Sequence, residues 1–168
     1  MKLTNTPDLL ALGAAVGDAL VARGDTIAVT ESSTGGLIAA SLLSRPGASA
    51  YFIGGAVVYT RDARRVLTGI TEADMDGIRS ASLPYAELLA RDTRSRFGTT
   101  WALTETGASG PAGNRYGDPA GHSCLAVAGP VLRSTQLRTG SGDRAANMVA
   151  FAAAALTLLR GVLVGADT

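Results

Sequence analysis

The feature that most constrains this chain is a junction near its start. Thr26-Ile27-Ala28-Val29-Thr30 is a short β-rich run that passes through Glu31-Ser32-Ser33-Thr34-Gly35-Gly36 into a helical stretch, Leu37 to Ser44. A strand that feeds a glycine-bearing turn and then a helix is the first half of a parallel crossover, so the spacing predicts an α/β protein. The flanking sequence continues the alternation. Thr6 before Pro7 predicts a helix N-cap, with Leu9, Leu12, Val16 and Leu20 on one face until Gly24. Tyr51 to Tyr59 predicts a second strand, Ala63 to Leu67 and Thr71 to Arg79 two short helices, and Ser82 to Phe97 a longer one. Thr100 to Thr106, His122 to Ala128 and Leu132 to Thr139 complete the strands, the last two joined through Gly129-Pro130 as a hairpin. Ser141-Gly142-Asp143 caps a final helix in which Val149, Ala152, Leu156, Leu159 and Leu163 recur at helical spacing.

These elements predict one domain over residues 1–168: a mixed sheet of about five strands with helices on both faces, with ligands beyond the strand ends. The loops to inspect are Glu31 to Gly36, Thr106 to Gly121 and Gly140 to Arg144. A hydrophobic fraction of 46% against 17% charged residues supplies the core and argues against disorder. Fifteen Lys and Arg against fourteen Asp and Glu leave a formal charge of +1, so nothing in the overall balance points to nucleic acid or an anionic membrane. The apolar segment Met148 to Val164 is interrupted by Arg160 and reads as a core helix. A single cysteine, Cys124, excludes an internal disulfide, and His122 is the sole histidine, which excludes the usual zinc clusters. With an N-terminus that does not resemble a secretory signal, the expected location is the cytoplasm.

Ser32 to Gly36 carries the strongest local chemical signal. Free N–H groups at a helix start favour an anion, and the hydroxyls add donors; a hydroxyl-capped helix with tight glycine packing fits the same residues. The turn lacks the spacing and lysine of a Walker A loop. Glu31-Ser32-Ser33-Thr34-Gly35-Gly36, Phe52-Ile53-Gly54-Gly55-Ala56-Val57-Val58-Tyr59, Thr106-Gly107-Ala108-Ser109-Gly110-Pro111 and Gly142-Asp143-Arg144 together resemble the CinA C-terminal domain family, over nearly the whole chain. The resemblance implies a three-layer α/β/α sandwich, a dimer, and metal-independent hydrolysis of the carboxamide of nicotinamide mononucleotide to nicotinate mononucleotide and ammonia. It implies a small-molecule nucleotide as partner and no cofactor. By position, Ser32 matches the family's nucleophile. Thr34, Gly35 and Gly36 match its supporting turn, and Tyr59, Thr106, Gly107 and Arg144 also fall on the family pattern as substrate-binding positions. Backbone N–H groups near Gly35 or Gly107 would hold the oxyanion.

The chain departs from the pattern twice. The family's Tyr-Ser-Asn-Glu-Ala-Lys becomes Tyr59-Thr60-Arg61-Asp62-Ala63-Arg64, which puts Arg64 where a lysine takes the serine proton. The long loop also differs, with Gly113-Asn114-Arg115 and Asp118-Pro119-Ala120-Gly121 in place of the family's residues. A guanidinium stays protonated and cannot serve as that base. Lys2, the chain's single lysine, lies at the terminus; His122 is a substitute base only if its strand sets the ring beside Ser32, and Glu31 only through a water, its plainer role being to hydrogen-bond neighbouring backbone N–H groups and hold the turn. Cys124 alternates along a buried strand and fills the core. The alternatives are therefore an amidohydrolase with an impaired Ser32–Arg64 pair, a nucleotide-binding or interaction module without turnover, and a hydrolase with another base and substrate.

Overall fold

A computed structural model describes residues 5–165. Helix α1 (Thr6–Arg23) leads into strand β1 (Ile27–Glu31), helix α2 (Leu37–Leu43), a 3-10 turn at Ala48–Ala50 and strand β2 (Phe52–Val57). Helices α3 (Arg61–Leu67) and α4 (Leu83–Phe97) follow, then strands β3 (Trp101–Ala108), β4 (His122–Ala128) and β5 (Leu132–Arg138), and finally helix α5 (Arg144–Gly165). The sheet order is β2-β1-β3-β4-β5. β1 runs parallel to both β2 and β3, whereas β3–β4 and β4–β5 are antiparallel. The predicted mixed five-stranded α/β sheet is what forms.

Burial explains the order. β1 and β4 are buried at every position, as interior strands covered on both faces must be, while β2 and β5 alternate between half-buried and exposed residues as edge strands do. Leu103, Leu125 and Val127 on one sheet face join Leu9, Val16 and Leu20 of α1, Ile38 and Leu42 of α2, and Ala152, Leu156 and Leu159 of α5 in the main core. Each such leucine taken from water contributes about 1.5–3 kcal/mol. α5 is long and apolar enough to span a bilayer by length and composition, yet the core-facing residues just named bury one side of it, as expected for a core helix. On the opposite face α4 packs through Ala86 and Ala90 against Cys124, Ala126 and Ala128.

Two helical expectations are corrected. Asn5, not Thr6, caps α1, its side-chain oxygen accepting the Asp8 N–H at 3.0 Å. Thr71 to Arg79 forms turns rather than a helix. Thr71 and Asp74 bond to one another as a helix start would, but Gly77 then adopts φ +69° and ends the run before a second helical turn closes.

One close approach fixes the position of α2. A Cβ added at Gly13 of α1 would lie 2.3 Å from the Ser41 carbonyl oxygen of α2, so the two helices meet backbone to backbone at a glycine. α2 in turn begins at the Ser32–Gly36 turn.

Candidate active site

Two buried glutamates build the turn. The Glu31 side chain, at the end of β1, folds back over the start of α2, where Oε2 accepts the N–H groups of Gly36 and Ile38, each at 3.0 Å, and Oε1 that of Ala39 at 2.8 Å. Glu105 reaches across from β3. Its Oε2 accepts the N–H groups of Ser32 at 3.2 Å and Thr34 at 2.9 Å, and its Oε1 accepts the hydroxyls of Ser33 and, at 3.0 Å, Ser123. Thr34 Oγ1 lies 2.7 Å from Glu31 Oε2 and 3.1 Å from Glu105 Oε2, its one proton shared between the carboxylates. Burial pushes the Glu31 carboxyl above its ordinary value, against the pull of the Thr34, Ala39 and Ile38 hydrogen bonds, and the Glu105 charge adds to the rise.

This network answers the question of what the helix start binds. The donors of Gly36, Ile38 and Ala39 are already taken by the protein's own Glu31, where the sequence suggested an incoming anion. The Gly35 N–H is likewise committed, to the Ser32 carbonyl at 3.2 Å. Thr34 is fully buried within the network and absent from the wall of the neighbouring cavity. Ser32 differs. Its backbone is held, while its hydroxyl, unlike those of Ser33 and Thr34, has no protein partner among the described residues and faces a cavity of about 470 Å³.

Ser32, Tyr59, Arg64, Thr106 and Gly107 line that cavity together, brought there by β1, the end of β2, α3 and β3. Arg64 is 4% exposed. Its Nη2 donates to Glu72 Oε1 at 2.6 Å, and its Nε is buried without a hydrogen-bond partner among the described residues. Burial raises the Tyr85 phenol beside it, with the Arg64 charge and hydrogen bond pulling the other way. Gly35, Gly36 and Arg144 are not among the residues lining the cavity; Arg144 touches the lining through Tyr59, donating to Tyr59 Oη at 3.1 Å, and also donates to the Gly110 carbonyl at 2.8 Å. Gly107 has no room for a side chain, since a Cβ there would lie 2.4 Å from the His122 carbonyl oxygen.

His122 is not brought to Ser32. Its Nε2 lies 2.8 Å from the Ala81 carbonyl oxygen, 3.6 Å from Cys124 Sγ and 3.7 Å from Asp118 Oδ2, on the far side of the cavity wall. Because Ala81 O can only accept, Nε2 carries the proton there. Ala81 itself has φ +56°, and it is pinned at both ends, its N–H donating to Thr106 Oγ1 at 3.2 Å. Thr106 thus supports the cavity wall from behind as well as lining it. Burial pushes the Cys124 thiol up to about 11, consistent with a packing role. Lys2 lies outside the described residues. Among the described residues, no three His, Cys, Asp or Glu side chains are grouped to hold a metal ion.

Two structural contributors escape sequence reasoning. Glu105 precedes the Thr106 motif, and its signal is a carboxylate inside the apolar run Trp101 to Thr106, where burial demands partners. The other is the pair Arg79–Asp118, a fork with distances of 2.6 and 3.0 Å that ties the long loop to the segment before α4. The Arg79 guanidinium holds the Asp118 carboxyl below the usual range.

Comparison with known proteins places this arrangement. Residues 10–163 match the model of the CinA C-terminal domain. The chain belongs to the CinA C-terminal domain family. A CinA-like protein of Gloeobacter violaceus is 40% identical over 123 residues, covering 73% of this chain and 29% of the relative. One from Trichormus variabilis is 36% identical over 152 residues, covering 89% of this chain and 36% of the relative. The chain thus spans about a third of the length of the curated CinA-like relatives it matches. Among solved structures, a CinA superfamily protein of Klebsiella pneumoniae superposes with a TM-score of 0.87 at 25% identity, covering 96% of this chain and 99% of that one. A competence/damage inducible protein of Agrobacterium tumefaciens gives 0.85 at 26% identity, covering 96% and 98%. The CinA fold is therefore shared over nearly the whole domain.

Proposed function

We propose that this CinA domain binds a pyridine mononucleotide in the Ser32 cavity, with Tyr59, Thr106, Gly107 and Arg144 around the ligand and the Thr34–Gly36 turn setting the serine. In this reading it is a cytoplasmic, metal-independent homodimer. Its chemistry is amide hydrolysis, in which the Ser32 hydroxyl attacks the carboxamide carbon, ammonia leaves as the acyl-serine forms, and water then releases the acid. The observation that carries the reading is Arg64, buried in the same cavity wall as Ser32 and paired with Glu72. The resemblance implies a lysine as proton acceptor at this position, where the chain has a guanidinium, and among the described residues the one carboxylate lining the cavity, Asp62, is exposed and sits 3.7 Å from Arg65.

Wild-type protein therefore releases ammonia from nicotinamide mononucleotide slowly or below detection, because a positioned base contributes about 10²–10⁴-fold. Arg64→Lys restores a measurable rate, and Arg64→Lys/Ser32→Ala abolishes it. Rapid turnover by the wild-type protein overturns the assignment. The same arginine favours a second reading, a binding module without turnover, in which the ligand binds calorimetrically and Arg64→Lys remains inactive.

A further inference from the structure

Arg64 presents an unusual combination. The side chain is almost wholly buried, yet among the described residues its Nε–H has no partner, and its Nη2 is held by a carboxylate that is itself 71% exposed. A buried donor left unmade is costly, and a solvent-facing ion pair is weakly held. Arg64 also lines a second cavity of about 620 Å³, shared at Arg61, Ser80 and Tyr116 with the one that holds Ser32. The guanidinium thus forms part of the common wall. Around the Ser32 cavity, Arg61, Arg64 and Arg115 face a single acid, Asp62, so the lining is cationic.

We infer that Arg64 reads a carboxylate: the cavity prefers a carboxylate-bearing pyridine mononucleotide to its uncharged amide, and Glu72 is the resident counter-ion that the incoming acid displaces. The inference rests on the pyridine-mononucleotide reading and assigns the form of ligand retained. A guanidinium offers a carboxylate two parallel N–H bonds along one edge, and here that edge has one nitrogen free and the other held by an exposed glutamate. A carboxamide presents one acceptor and a donor group, and the donor group faces Arg64 with the wrong polarity. Where a lysine base would serve hydrolysis of the amide, the arginine serves retention of the acid.

Calorimetric titration of the full chain with nicotinate mononucleotide and with nicotinamide mononucleotide separates the possibilities. The acid is expected to bind at least about tenfold more tightly than the amide, as a charge-assisted paired contact allows. Glu72→Gln, a substitution at an exposed site, widens that ratio by removing the competing carboxylate, and Arg64→Gln collapses it. Equal affinities for acid and amide in the wild type and in Glu72→Gln overturn the inference while leaving the pyridine-mononucleotide reading intact. Binding of neither compound overturns both. If Arg64→Gln fails to fold, the change of ratio in Glu72→Gln decides, and an unchanged ratio there refutes the displacement.

Discussion

Replacing Glu31 and Glu105 by glutamine makes the same chemical change at two neighbouring buried carboxylates, and the structure predicts different costs. At Glu105 the amide oxygen can take the Oε2 position and keep the Ser32 and Thr34 N–H groups, while the amide NH₂ faces two hydroxyls, Ser33 and Ser123, that can rotate to accept. Every bond survives at neutral strength, so Glu105→Gln costs about 1 kcal/mol. At Glu31 both oxygens receive backbone N–H groups, Gly36 and Ile38 on one and Ala39 on the other, and a backbone N–H cannot turn round. Either orientation of the glutamine sets an NH₂ against an N–H donor. The orphaned pair adds about 1–3 kcal/mol to the weakening of the remaining bonds, and the relief of charge burial at Glu31 works against it, leaving a net cost of about 3 kcal/mol. Urea unfolding at pH 7, followed through the fluorescence of the buried Trp101, the chain's single tryptophan, measures both variants. If Glu105→Gln proves as costly as Glu31→Gln, the reasoning about which donors can adapt is wrong.

Two further outcomes follow from the cavity walls. Gly107→Ala places a methyl 2.4 Å from the His122 carbonyl oxygen and 2.9 Å from Ser123 Cα, forcing β3 and β4 apart at a cost of about 1–3 kcal/mol, and loosening ligand binding along with stability; an unchanged urea midpoint contradicts the packing. The Asp118 carboxyl is held below its ordinary value chiefly by Arg79, so its contribution to stability is present above that ordinary value and is lost as pH falls through the lower folded value. Thermal melts between pH 5 and pH 2, both taken as rough limits of the acid limb, are expected to fall less steeply for Asp118→Asn than for the wild type, and parallel slopes count against the latch.

Much of the fold is legible because it is written in local patterns. His122–Ala128 is found at the predicted bounds because it starts after Gly121 and its apolar run Cys124 to Ala128 ends at Gly129-Pro130, and the Gly24 and Gly98 stops of α1 and α4 are left-handed as a helix terminus requires. Thr71 to Arg79 fails because its apolar spacing, Met75 with Ile78, fits a helix, whereas the residues that decide, Asp74 and Gly77, close and end a turn. The site is legible only in part. Ser32, Tyr59, Arg64, Thr106 and Gly107 converge on one cavity, as the motifs suggested. The fold-back of Glu31 over its own helix start is local, as its place in the turn suggests, whereas Glu105 reaches the same turn from β3, a long-range arrangement with no periodic signature. His122 is a candidate base by residue type alone; its strand points it at Ala81, which only β3–β4 register and the course of the chain before α4 determine.

The contact between Gly13 and Ser41 reaches further than the helix pair it joins. α2 is seven residues long, begins at the serine turn and rests on α1 at a glycine that tolerates no methyl without displacement. A random screen for loss of ligand binding should therefore recover substitutions on α1, outside the site's own motifs, whose products fold but hold Ser32 out of register. Mutational maps of such a domain would outline its mechanical support as sharply as its chemistry, and a cluster of sensitive positions on α1 would mark a lever rather than a second site.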